Sequence, residues 1–163
     1  MTEQFKIGFI GLGIMGAPMA KNLINAKYEV YVYDIRQESI KNLVENGAIA
    51  TKNSQDLGEK VDVVVIMVQD SANSEEAIIS DNGVLNTLKK GTTIIDMSSI
   101  SPLVSQKISK LCEQKGVDFL DAPVSGGEPM AISGDLAIMV GGKENVFKKF
   151  ESIFINFFTM VIL

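Results

Sequence analysis

Two glycine-bearing segments hold the residues with the clearest chemistry. The first, Gly11-Leu12-Gly13-Ile14-Met15-Gly16, is a G-x-G-x-x-G that follows an apolar run and opens a helical pattern. An acid, Asp34, stands 18 residues past Gly16, at the end of the next strand-like run. In that context the spacing specifies a dinucleotide cradle. Gly11 permits a tight turn, Gly13 lets the backbone approach a pyrophosphate, and Gly16 lets the helix lie close to the strand. The N–H groups of the loop, with Leu12, Ile14 and Met15 between the glycines, face the anion. The positive helix end adds about 0.3–1 kcal/mol. Asp34 would accept hydrogen bonds from both ribose hydroxyls of an adenosine, which favours NAD and repels a 2′-phosphate. Arg36 could offset that repulsion, which keeps NADP as the alternative. The competing reading is a glycine turn that only packs helix on strand, with Asp34 a solvated acid.

The second segment is Asp121-Ala122-Pro123-Val124-Ser125-Gly126-Gly127. The Ser125 hydroxyl beside Gly126 and Gly127 offers several donors with no side chain in the way. That suits a carboxylate, or an oxyanion next to one. A flexible turn explains the same residues. Asp121 precedes this turn and reads as a capping or turn residue.

The sequence has no histidine and one cysteine. That excludes Ser-His and Cys-His nucleophilic pairs, zinc sites built from those ligands, and a disulfide within the chain. Cys112 lies on an apolar helix face and reads as a buried, inert thiol. Glu75-Glu76 reads as a solvated helix start, with no partner acids for a metal site. The eight methionines read as core filler, with only Met67 on the functional rim.

These residues need a scaffold, and the composition supplies one. At 163 residues, 46% hydrophobic and 21% charged, the chain is a single globular domain with a real core. Fifteen basic against 20 acidic residues give net charge -5, without a basic cluster beyond Lys89-Lys90 and Lys148-Lys149. Nucleic acid is therefore not an expected partner. The N-terminus lacks the basic start of a signal peptide. The apolar tail, residues 153–163, is about half the roughly 20 residues of a membrane helix. The expectation is a cytoplasmic protein with no membrane partner.

Apolar runs alternate with helical patterns throughout. Strands are expected at 5–10, 29–33, 48–51, 61–68, 93–97, 117–120 and 136–140. Helices are expected at 15–26, 38–46, 55–60, 101–114 and 143–154, with Ser101-Pro102 as an N-cap and first-turn proline. Gly47 and Gly116 are placed as helix stops. The uniformly apolar 61–68 is the pattern of a strand covered on both faces. The alternation specifies an α/β, Rossmann-like doubly wound, mainly parallel sheet with helices on both faces. Ligands then bind just after residues 10, 33, 68, 97 and 120.

The string from Gly8 to Leu23, GFIGLGIMGAPMAKNL, resembles the signature of the β-hydroxyacid dehydrogenase family. Asp96-Met97-Ser98-Ser99-Ile100-Ser101-Pro102, the block 121–127, and Gly134-Asp135-Leu136 through Met139-Val140-Gly141-Gly142 are similar to its later motifs in order. Gly126-Gly127-Glu128-Pro129 followed by Ala131 looks most like the tartronate semialdehyde (2-hydroxy-3-oxopropionate) reductase branch, with the 3-hydroxyisobutyrate dehydrogenase branch as the alternative. The resemblance implies hydride transfer between a nicotinamide cofactor and a short 3-oxo acid. It implies that Met67 and Val68 line the adenosine and ribose side, that Ser98 and Ser99 sit near the nicotinamide, and that Ser125, Gly126 and Gly127 grip a substrate carboxylate.

The sequence departs from the family in two places. Val68-Gln69 replaces a common Leu-Pro. No lysine here matches the family's catalytic acid, so none is assigned that role, and residues 1–163 read as the cofactor domain without the family's helical second domain. That leaves a non-catalytic dinucleotide-binding module or a fragment as alternatives. Homo-oligomerisation, or pairing through the apolar tail, would then be open. Residues 159–163 are expected to form a last strand.

Overall fold

The computed structural model describes residues 4–162, with side chains through residue 158. The chain runs β1 (Lys6–Ile10), α1 (Gly16–Asn25), β2 (Glu29–Tyr33), α2 (Gln37–Val44), β3 (Ile49–Ala50), α3 (Ser54–Gly58) and β4 (Val63–Ile66). It continues through α4 (Ser71–Ile79), a 3-10 turn (Val84–Asn86), β5 (Thr93–Asp96), α5 (Pro102–Gln114) and β6 (Asp118–Asp121). The last third holds β7 (Val124–Ser125), α6 (Gly127–Ser133), β8 (Leu136–Met139), α7 (Glu144–Lys149), α8 (Glu151–Phe154) and β9 (Phe158–Ile162).

The first six strands form one sheet in the order β3-β2-β1-β4-β5-β6, and every pair is parallel. Strand order reverses between β1 and β4, which makes their carboxyl ends the switch point where such sheets open a crevice. Both faces are covered, as the apolar runs require. Ile7, Phe9, Val63, Val65 and Ile95 pack with Met19 and Leu23 of α1 and Ile40 and Leu43 of α2. The alternate residues Ile10, Val64, Ile66 and Ile94 pack with Leu57 of α3, Ile78 of α4, and Ile108 and Cys112 of α5. The period of two along each strand thus divides the core into two layers.

Three features differ from the sequence expectation. The sheet does not continue past β6: β7, β8 and β9 form a separate small sheet, with β7–β8 antiparallel and β8–β9 parallel. The helix expected over 143–154 breaks at Phe150, whose φ of -109° and ψ of 13° leave helical geometry. Its ring is fully buried and meets Phe5 at 4.9 Å between centroids, so tertiary packing overrides helix continuity there. Glu75-Glu76 is not a helix start. It lies inside α4, which begins one turn earlier where the Asp70 carboxylate accepts the Asn73 N–H at 2.9 Å.

Ser101 occupies the N-cap position of α5, but its side chain makes no capping bond; the Ser101 N–H instead donates to Ser71 Oγ at 2.8 Å. Cys112 is fully buried, and burial pushes its thiol up to about 12. The apolar tail forms β9 over Phe158–Ile162, which pairs with β8 in the small sheet and does not extend the six-stranded one; Leu163 lies outside the described residues. The start of the apolar tail is internal, with Ile153, Phe154 and Phe157 buried. The side chains of residues 159–163 lie outside the described ones.

Candidate dinucleotide site at the carboxyl edge of the sheet

The glycine loop connects β1 to α1 at the switch point, and its three glycines serve three purposes. Gly11 has φ +95°, and a Cβ there would stand 2.1 Å from the Met67 carbonyl oxygen. The loop therefore touches the chain leaving β4. A Cβ at Gly16 would stand 1.9 Å from the Gly11 carbonyl oxygen and 3.3 Å from the Phe9 ring, so helix and strand close up only without it. Gly13 is different. A Cβ there would meet only Arg36 Nη2, at 3.6 Å. Its bareness is not used by internal packing, which leaves open backbone where a ligand is expected.

The start of α1 also lacks an internal acceptor. Met15 at its N-cap provides no side-chain cap. The N–H groups of Gly13, Ile14 and Met15 find no acceptor among the described residues, while the Gly13 carbonyl already accepts the Ala17 N–H. Uncapped donors at a helix start form an anion site. Ile14 is exposed over this loop, and Ile35, 88% exposed, stands beside Asp34 and Arg36. Sequence reading does not select Ile35; its signal is an apolar side chain with no core to enter.

Asp34 caps β2 and is nearly buried, with 7% of its surface exposed. Its Oδ2 accepts the Leu12 N–H at 2.7 Å, and its Oδ1 accepts the Arg36 N–H at 2.8 Å and Arg36 Nε–H at 3.2 Å. Burial pushes its carboxyl up, but the N–H groups of Leu12 and Arg36 and the Arg36 guanidinium outweigh it and hold the group below its usual range. Asp34 is thus ionised at neutral pH and clamps the loop to β2. The Arg36 guanidinium, on a side chain 60% exposed, leans over Gly13.

On the other side of the switch point, Met67 and Val68 leave β4 half-buried, and Met67 N–H donates to the Ile10 carbonyl at 2.9 Å. Ser98 is fully buried and accepts the Val68 N–H on its Oγ at 2.9 Å, while Ser99 is exposed at the rim. The turns after β1, β4 and β5 are thereby one connected edge.

Ser125, Gly126 and Gly127 are exposed and follow β6 on the same edge. Gly126 and Gly127 have φ of +142° and +71°, and a Cβ at Gly126 would press on Met130 at 2.6 Å. The turn is therefore a defined conformation. Asn22 of α1 holds the following helix, donating from Nδ2 to the Ala131 carbonyl at 3.0 Å. This bond links α1 to the helix that follows the second glycine motif, and no spacing pattern signals it.

A second concavity of about 800 Å³ lies at the opposite, amino-terminal edge of the strands, lined by Lys6, Lys60, Asp62, Lys89, Lys90 and Thr92 among others. Its mixed charges and its place at the wrong end of a parallel sheet set it apart from the ligand crevice.

Comparisons with known proteins agree with this fold. The chain is 45% identical over 147 residues to mitochondrial 3-hydroxyisobutyrate dehydrogenase of Rattus norvegicus, covering 90% of this chain and 44% of that protein. It is 44% identical over 149 residues to 2-hydroxy-3-oxopropionate reductase of Escherichia coli K12, covering 91% and 51%. The solved structure of 3-hydroxyisobutyrate dehydrogenase of Mycobacterium tuberculosis superposes with a TM-score of 0.93 at 30% identity, over 98% of this chain and 54% of that one. The chain spans about half the length of the curated relatives it matches. Residues 6–162 match the family described as the NAD binding domain of 6-phosphogluconate dehydrogenase, and the chain belongs to that family.

Proposed function

We propose that this chain is the cofactor-binding half of an NAD-dependent 3-hydroxyacid dehydrogenase, with 2-hydroxy-3-oxopropionate as the substrate of first choice. The observation that carries the reading is the bare backbone at Gly13, beside uncapped N–H groups and an ionised Asp34. Gly11 to Gly16 hold the pyrophosphate, and Asp34 with Arg36 receives the adenosine ribose. Met67, Val68, Ser98 and Ser99 border the other half of the dinucleotide. Bound there, the nicotinamide supplies the hydride. Ser125, Gly126 and Gly127 receive the substrate carboxylate, and the twin positive φ values hold their N–H groups in one arrangement. Close identity to 3-hydroxyisobutyrate dehydrogenases makes 3-hydroxyisobutyrate the second reading.

No lysine is assigned as the proton donor, so the isolated chain is proposed to bind cofactor and turn over poorly. Arg36 beside Asp34 leaves NADPH as a weaker ligand than NADH. Titration of the chain with NADH and NADPH, each with and without tartronate, tests the reading. Tighter NADPH binding would overturn the role given to Asp34. Rapid reduction of tartronate semialdehyde by the chain alone would overturn the claim of poor turnover.

A further inference from the structure

One buried carboxylate ties together the turns on the nicotinamide side of the crevice. Asp96 ends β5, in register with Ile66 of β4 and Asp121 of β6. It is fully buried, and its Oδ1 accepts the Ser98 N–H at 3.0 Å. Ser98 in turn accepts the Val68 N–H at 2.9 Å. The Met97 N–H donates to the Ile66 carbonyl at 2.8 Å, and the Asp96 carbonyl accepts the Ala122 N–H at 2.7 Å. The turns after β4, β5 and β6 therefore converge on this residue. Val68 and Met67 also form the wall against which Gly11 is pressed.

The packing alone gives no reason for a carboxylate here. Asp96 Oδ2 is buried without a hydrogen-bond partner, and so is Oδ1 of its register neighbour Asp121. The Ser74 hydroxyl of α4 lies near Asp96 yet forms no hydrogen bond of ordinary geometry. Such orphaned acceptors are unfavourable, and an apolar side chain would remove the cost.

We propose that Asp96 is a positioning residue for the nicotinamide half of the cofactor, acting through Ser98 to fix the backbone of Val68. The inference rests on the reading of this edge as a dinucleotide site. Adenosine lies on the Asp34 side of the switch point, so the β4–β5 turns are left to the nicotinamide half. What Asp96 supplies is an acceptor at Oδ1, and charge is not required for it. Burial, with the nearby Asp121 carboxylate, drives the Asp96 carboxyl up, while Ser98 and Ser74 pull it back. Burial raises Asp121 likewise, against the Ser105 hydroxyl of α5. An asparagine at 96 keeps the acceptor.

The test compares the affinities of NADH and ADP-ribose, which lacks the nicotinamide, in the full chain and in Asp96→Ala, Asp96→Asn and Ser98→Ala. Asp96→Ala and Ser98→Ala should each weaken NADH about 10-fold and leave ADP-ribose within about twofold. Asp96→Asn should restore NADH binding. Ser98→Ala carries the test if Asp96→Ala does not fold. Unchanged NADH affinity in Asp96→Ala and Ser98→Ala, or equal losses for both ligands, overturns the proposal while the cofactor reading stands. A wild-type chain that binds neither ligand overturns both.

Discussion

Substituting Gly13 by alanine separates the cradle from the fold. The other two glycines of the motif cannot make that separation. An alanine at Gly11 would take a positive φ and place its Cβ 2.1 Å from a carbonyl oxygen. One at Gly16 would stand 1.9 Å from another. Both variants should lose stability as well as ligand. At Gly13 the φ lies outside the left-handed region, and the nearest atom to an added Cβ is the end of the flexible Arg36 side chain, at 3.6 Å. Folding should then benefit from the lost freedom of the unfolded chain by about 0.4–1 kcal/mol. For a chain of this size that raises Tm by about 1–4 °C. The same methyl group points where the pyrophosphate must approach. Displacing the anion from one charge-assisted hydrogen bond costs about 1.5–3 kcal/mol, or roughly 10- to 150-fold in Kd for NADH. Fluorescence titration with NADH and a thermal melt on the same sample read both effects. A Gly13→Ala chain that binds NADH like the wild type would refute the cradle. One that melts well below the wild type would refute the claim that this glycine is free of packing duty.

Asp34→Asn should be pH-dependent in a defined direction. The folded carboxyl titrates below its usual 3.8, so the unfolded chain binds the proton more readily and the charged form stabilises the fold. The Tm deficit of the variant should be full at pH 7 and shrink as pH falls through and below 3.8; a deficit independent of pH would contradict the clamp. Cys112, with its thiol pushed up to about 12, should resist a thiol reagent at pH 8 in the native chain and react on unfolding. Fast reaction of the native chain would contradict its burial.

The parts legible in the sequence are those set by local rules. Val63 to Ile66 read as a strand because burial on both faces leaves no polar position. The glycine loop and Asp34 were legible because a turn, a close approach and a strand-end acid fall at fixed offsets. What escaped depends on distant contacts. Val124–Ser125 is only a two-residue strand and pairs with residues 137 and 138, so no periodicity announces the second sheet. Phe150 looks like another helical apolar position until Phe5 packs on it. The Ser101 hydroxyl fits a capping rule, yet Ser71 supplies the bond made there. Asp96 and Asp121 are 25 residues apart and become neighbours only through the β5–β6 register. Asp70 is the exception: its cap follows a local rule, but α4 behind it buries only Ser74 and Ile78 and carries a weak apolar face.

Backbone amide resonances of the 15N-labelled chain, followed during titration with NAD+, show whether the carboxyl edge of the sheet is a dinucleotide site. Saturable shifts are expected, led by Gly13, Ile14 and Met15, with a second group at Val68 and Ser98 that ADP-ribose does not reproduce. Shifts confined to the lysine-lined groove at Lys6, Lys60 and Lys89, or no saturable shifts at all, would contradict it.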